Sequence, residues 1–337
     1  MSGWASSRQK YPAALEAKLE RHRLVESVVI SHQQENKHID IGTASRDIMK
    51  QVQLSAFADE IDMNLTIQMD ELEKHNIRYI EMRGVNDVNI SNVTIEQAKE
   101  IKSQLDARGF KISSLGSPIG KIYLKDNFDE HKEMFARLLE VASILGAKYM
   151  RIFSFFMEEH TNYDDYAEEV ISKLTELAEM ADSYNITLLH ENEKDIYGDT
   201  PARCLNLVTS INKDNFRLVF DPANFVQVNE DTLKAHDLLK EYVAYYHIKD
   251  ARLDDKKVVP AGHGDGNIPE IIERITSNGY NGFLSLEPHL GNFAGFADLE
   301  NLEEGSVETL EKSDASKFAL ATESLKDILD RKNISYI

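Results

Sequence analysis

Four short stretches decide the fold: TLLHENE (Thr187–Glu193), RLVFDPANF (Arg217–Phe225), AYYHIKD (Ala244–Asp250) and FLSLEPH (Phe283–His289). Each is an apolar, β-rich run that ends abruptly on an acid or a histidine. Working outward from them, the same pattern recurs at Val52–Phe57, Tyr79–Met82, Lys111–Leu115 and Tyr149–Phe153. With Thr187–Glu191, Arg217–Asp221, Ala244–Lys249 and Phe283–Glu287 this makes eight strand candidates, and every gap between them has room for a crossover helix. Helical periodicity and stop signals fill those gaps at Asn64–Asn76, at Thr94–Arg108 before Gly109, at Phe128–Leu145 before Gly146, and at Tyr163–Tyr184. Lys317–Leu329 reads as the helix that closes the ring. Eight βα units without a long unstructured gap predict an α/β fold of the closed (β/α)8 barrel type. The turn after the first strand, AFADEID, has no glycine, which argues against an open dinucleotide-binding sheet.

The 337 residues suit one such barrel, which needs roughly 250. Residues 1–48 are polar, hold the single tryptophan, Trp4, and lack the strand–helix rhythm; they read as an extension to a catalytic domain over 49–337. Gly291–Ser313, acidic and apolar by turns, reads as a loop over the barrel mouth. Net charge is −20, from 58 acids against 38 bases, which disfavours nucleic acid and anionic membranes as partners. No apolar run reaches the roughly 18 residues of a membrane span, and the N-terminus has no apolar signal core. The lone Cys204 precludes an internal disulfide and fits a reducing compartment; a cytoplasmic location is the expectation.

Catalytic side chains of a barrel sit at the C-terminal strand ends. Strands five to eight end on Glu191, Asp221, His247 and Glu287, and consecutive strands place these four on one arc of the rim. Three carboxylates and an imidazole suit one divalent cation, Mn²⁺, Co²⁺, Mg²⁺ or Zn²⁺, with room for substrate oxygens. One solvated acid at a strand end would be unremarkable, whereas four in a row after apolar runs ask for a common purpose.

LHENE, FDPANF, HIKD and LSLEPH, with SPIGKI (Ser117–Ile122) and MRIFSF (Met150–Phe155), resemble the motifs of the xylose-isomerase-like barrel superfamily, in its sugar and sugar-phosphate isomerase/epimerase branch. The resemblance runs from about residue 52 to the C-terminus. It implies a metal held by Glu191, Asp221, His247 and Glu287, with Glu191 and Glu287 also serving as acid and base, a small carbohydrate as substrate, and pairing into a homodimer. Chelation of a ketose by such a metal would acidify the C–H next to the carbonyl and stabilise the enediolate. One carboxylate would take the proton and the other return one.

Lys249 and Arg252 beside His247 are substrate-contact candidates, as are Arg151 in strand four, Lys121 after strand three, and Glu81 and Arg83 at the end of strand two; each of these last four reads equally as a structural salt bridge. Lys249 shares the parity of His247 and points inward; an ion pair with Asp250 is the competing reading. Asn224 is a further substrate-binding candidate; some epimerases of the superfamily carry a histidine there, so this residue weakens a free-ketose 3-epimerase reading. His289 reads equally as a surface residue or a ligand. In GHGDGNIPEI (Gly262–Ile271), backbone N–H groups could hold an anion, although a plain loop and cap is the simpler reading. A dehydratase acting on a cyclitol or sugar acid would use the same parts. A repair-type phosphodiesterase would want more histidines than these strands supply, and a non-catalytic sugar-binding barrel would not need two metal-bound glutamates.

Overall fold

The computed structural model describes residues 51–290 and 315–337. The extension 1–48 and the stretch Gly291–Ser313 lie outside the described residues. Eight parallel strands form a closed ring: β1 (Gln51–Ala56), β2 (Tyr79–Met82), β3 (Lys111–Leu115), β4 (Tyr149–Ile152), β5 (Thr187–Glu191), β6 (Phe216–Phe220), β7 (Val243–Ile248) and β8 (Phe283–Leu286). β8 pairs back onto β1, with Gln53 opposite Phe283 and Ala56 opposite Leu286, so the barrel has no free edge. A two-residue strand, β9 (Ser335–Tyr336), adds to the start of β1.

The helices follow from their punctuation. α1 (Leu65–Lys74) starts where the Asn64 side chain accepts from the N–H groups of Thr66 and Ile67. α2 (Ile95–Ala107) opens with a reciprocal Thr94–Gln97 capping box. α3 (Phe128–Leu145) stops at Gly146, whose φ of 75° is the left-handed conformation that favours glycine. The expected helix Tyr163–Tyr184 resolves into a 3-10 turn, Tyr163–Tyr166, and α4 (Ala167–Asp182). The outer layer continues with α5 (Pro201–Ile211), α6 (Pro222–Gln227), α7 (Thr232–Leu239), α8 (Ile268–Ser277) and α9 (Ala315–Arg331). Among the described residues no helix is long and apolar enough to cross a membrane.

Strand parity sorts the barrel interior into layers. Leu189, Val219 and Tyr245 pack as a buried cluster, with Tyr149, Ala244 and Phe283 against it, and plug the lower lumen. Above the plug, Tyr245 Oη donates to Ser113 Oγ at 2.9 Å, and Ser113 and Ser55 hydroxyls meet at 2.6 Å. Two residues further along β5, β6 and β7, the same inward parity delivers Glu191, Asp221 and His247. Lumen chemistry thus changes from apolar to hydroxyl to ionic toward the C-terminal mouth.

Candidate active site

Asp221 ends β6 and serves as the N-cap of α6: its Oδ1 accepts from Asn224 N at 3.0 Å. Pro222 at the first helical position makes the strand-to-helix switch immediate, which fixes the carboxylate at the rim. Asn192 bridges the tops of β5 and β6, donating from Nδ2 to Asp221 O (2.9 Å) and accepting from Asp221 N at Oδ1 (3.0 Å). Asn224 donates to Glu191 Oε1 at 3.3 Å and to Asn192 O at 2.9 Å. Glu191 and Asp221 are therefore held on braced strand ends, and His247 and Glu287 complete the arc.

One ligand atom from each of Glu191, Asp221, His247 and Glu287 can be chosen so that all lie within 4.8 Å of one another, and all four residues are buried. His247 Nδ1 is 3.1 Å from Glu191 Oε1, 3.3 Å from Glu287 Oε2 and 3.9 Å from Asp221 Oδ2. Glu191 Oε2 and Asp221 Oδ2 are buried and accept no hydrogen bond, although Lys249 Nζ lies 2.8 Å from the latter at an angle unsuited to one. Buried carboxylate oxygens without hydrogen bonds, converging with an imidazole nitrogen, fit a divalent cation in both donor type and spacing.

Cations line the opposite side. Arg151 Nη1 stands 3.3 Å from Glu191 Oε2 and 3.6 Å from Glu287 Oε1, between the two glutamates. Its Nη2 is tied to the carbonyls of Gly116 and Ser117. Arg83 grips Asp59 through two hydrogen bonds (2.7 and 3.1 Å) and reaches Glu60 and Glu287, each at 3.3 Å. The Phe57 ring lies under both guanidiniums, 4.5 Å from Arg83 Cζ and 5.1 Å from Arg151 Cζ. Lys249 points inward as its parity predicts and its Nζ contacts Asp221 and Glu287 (3.2 Å to Glu287); the competing reading, a pair with Asp250, does not occur.

The charges shift one another strongly. Burial raises the Glu191 carboxyl, but His247, Arg151 and the hydrogen bond from the ring outweigh it and bring it down to about 2. Glu287 is likewise carried well below its usual range, burial being outweighed by Lys249, His289 and His247. Asp221 goes the other way, to about 7, through burial and the nearby Glu191 and Glu287, against the pull of Lys249. Burial pushes Glu60 up to about 8, more than Arg83 can offset.

The remaining candidates divide. Asn224 is buried and braces Glu191. Glu81 has no exposed surface and lies against His247. Lys121 Nζ is 3.7 Å from Glu193 Oε2 and 4.5 Å from the Phe153 ring centroid. Arg252 is not brought to the cluster: it sits on the exposed hairpin after β7, 44% exposed and paired with Asp255. His289 turns inward, its Nε2 3.3 Å from Glu287 Oε1 and 3.5 Å from Glu60 Oε1. Glu60, Glu287 and His289 also have ligand-like spacing, but Arg83 contacts both carboxylates and already supplies their countercharge. The glycine loop does hold an anion, and that anion is Asp250, whose carboxylate accepts from the N–H groups of Ala251, Gly262, Gly264 and Gly266 at 2.9–3.1 Å. A Cβ at Gly264 or Gly266 would fall 2.4 or 2.6 Å from Asp250 Oδ1. Cys204 is buried and burial raises its thiol, as befits a bystander.

Asn192, Asp59 and Glu60 were not singled out from the sequence. The ENE and ADEID stretches carried the only signal, polar residues placed directly after buried strands.

The model of the xylose isomerase-like TIM barrel family matches residues 69–313. The chain belongs to that family. Among curated relatives, inosose isomerase of Bacillus licheniformis is 24% identical over 269 residues, 74% of this chain and 94% of the relative. A solved structure of the IOLI protein with a bound zinc atom superposes with a TM-score of 0.65 at 18% identity, covering 83% of this chain and 99% of that one. A D-tagatose 3-epimerase-like protein gives 0.64 at 17% identity, covering 84% and 98%.

Proposed function

We propose that this barrel is a divalent-metal-dependent isomerase or epimerase of a sugar or sugar derivative, with Glu191 and Glu287 as its acid/base pair. The observation that carries the reading is the convergence of Glu191, Asp221, His247 and Glu287 around buried carboxylate oxygens that accept no hydrogen bond. A divalent cation bound there supplies Lewis acidity toward a substrate carbonyl and its neighbouring hydroxyl. Glu191 and Glu287 come from strands three apart on the arc, so they approach a substrate from different sides. One takes the proton from the carbon next to the carbonyl and the other returns a proton to the opposite face, inverting the centre; return to the neighbouring carbon interconverts ketose and aldose. Arg151 helps His247 keep Glu191 ionised, Lys249 does so for Glu287, and Asn224 orients Glu191. The inosose isomerase and epimerase-like kinships agree with this class of chemistry.

The charge balance favours an uncharged polyol or ketose over a phosphate ester. Each cation near the site faces a carboxylate: Arg83 with Asp59, Glu60 and Glu287; Arg151 with Glu191 and Glu287; Lys249 with Asp221 and Glu287; Lys121 with Glu193. A phosphate dianion would have to compete with those partners.

The test is deuterium uptake. The protein is incubated with Mn²⁺ in D₂O against ketoses, ketose phosphates, inososes and keto-acids, with Glu287→Gln as control. Uptake next to the carbonyl, abolished in the variant, supports the reading. An inverted or carbonyl-shifted product then separates epimerase from isomerase, whereas loss of water would make the protein a dehydratase. No uptake from any substrate, with no metal bound by elemental analysis, would overturn the reading.

A further inference from the structure

We infer that Glu81 is the positioning residue that fixes the tautomer of His247, holding the ring proton on Nε2 so that Nδ1 faces the metal cluster as a bare donor. This rests on the metal-site reading above. Glu81 is the penultimate residue of β2 and His247 lies on β7, strands that do not pair, so their contact spans the lumen. His247 Nε2 is 3.3 Å from both Glu81 oxygens, while Nδ1 points the other way, toward Glu191 Oε1 (3.1 Å) and Glu287 Oε2 (3.3 Å). Both side chains are fully buried. Phe57 and Tyr245 meet the imidazole edge to face, with centroids at 5.3 and 5.9 Å, and deny the ring room to turn over.

A neutral imidazole carries one proton and has two places to put it. Nδ1 looks onto the carboxylates of Glu191, Asp221 and Glu287, and that surrounding by itself would draw the proton to Nδ1, the tautomer that cannot ligate. Carboxylate oxygens accept hydrogen bonds, and both Glu81 oxygens face Nε2, so Glu81 makes the Nε2–H tautomer the satisfied one. It also adds electron density to the ring, as such outer carboxylates do for metal-bound histidines. A glutamine there would not do the same job, because its NH₂ can donate to Nε2 and leave the proton on Nδ1.

Two measurements on the full-length protein labelled with ¹⁵N-histidine test this, using Zn²⁺ as the probe. In zinc-loaded wild type, the long-range ¹H–¹⁵N spectrum should show the zinc-responsive ring protonated on Nε2 and coordinated through Nδ1. By calorimetry, Glu81→Gln should bind Zn²⁺ about 10–100-fold more weakly than wild type, with its circular dichroism unchanged. Zinc on Nε2 in wild type, or wild-type affinity in a folded Glu81→Gln, would overturn the inference and leave the metal site standing. Absence of stoichiometric zinc binding to wild type would overturn the metal reading and this inference with it. Should Glu81→Gln fail to fold, the wild-type spectrum decides alone.

Discussion

The two arcs of the barrel mouth carry opposite duties. The arc from β5 to β8 presents Glu191, Asp221, His247 and Glu287, an anionic pocket that asks for a cation. The arc from β1 to β4 presents Arg83 and Arg151, stacked on Phe57; Arg151 reaches across to Glu191 and Glu287, and Arg83 to Glu287. One arc carries the candidate acid/base groups and the other supplies countercharge. The lesson is that the four metal-capable residues do not make the site alone: Glu191 and Glu287, this close and this buried, depend on neighbouring cations to stay ionised, Glu191 on His247 and Arg151, Glu287 on Lys249.

The comparison breaks first on the reactive arc. Glu191→Gln and Glu287→Gln each remove a proton-transfer group, and turnover in the deuterium-uptake assay should fall by about 10²–10⁴-fold for either. If one variant keeps most of the activity, the two glutamates are not an acid/base pair.

On the supporting arc, Arg151→Met leaves Glu191 and Glu287 facing each other without their shared cation. Urea denaturation of the metal-free protein should show a loss of about 3–5 kcal/mol, as for other buried pairs broken on one side. Saturating Mn²⁺ should recover a larger increment in the variant than in wild type. Equal increments would mean that the arginine and the metal do not act on the same charges.

Stability against pH separates the mouth from the shell behind it. Burial lowers His190 to about 3 and His131 and His236 to about 4, and each is hydrogen-bonded in the protein interior to a group outside the four-residue cluster. Their folded pKa values lie below the unfolded value of about 6.5, so the unfolded chain binds protons that the native state refuses. The stability they contribute is complete above pH 6.5 and is lost as pH falls toward 4, at up to ~1.4 kcal/mol per pH unit for each group. His190→Gln should flatten the urea-midpoint profile between pH 6.5 and 4 by one proton. An unchanged slope would place the acid sensitivity at the mouth instead.

The smallest effect is expected at Arg252. Exposed and paired with Asp255, it should tolerate Arg252→Ala with no measurable change in melting temperature or turnover. A drop in turnover alone would return it to the substrate pocket.

Much of this was legible in the sequence, because it is local. An apolar run that stops on an acid is visible without a structure, and β2, β3 and β5 fall where the pattern puts them, the other strands starting or ending within a residue of it. Side-chain parity then carries Glu191, Asp221 and His247 inward, and Lys249 with them. What parity cannot give is a partner. Lys249 turns to Asp221 and Glu287 and not to adjacent Asp250, because Asp250 has the opposite parity and is consumed by the N–H groups of the glycine loop. Arg252 shares the parity of Asp250, but its strand has already ended and the chain has left the lumen in a hairpin.

The sequence by itself determined the eight strands, most of the long helices between them, the family and the four acid and histidine side chains at the ends of strands five to eight, since each is written in patterns a few residues long. Only the tertiary structure decided that Glu81 lies against His247, that Asn192 and Asn224 brace the tops of β5 and β6, and that Arg83 and Arg151 face the glutamates. These contacts join strands distant in the chain, and the diameter and register of the closed barrel set which side chains meet across its lumen.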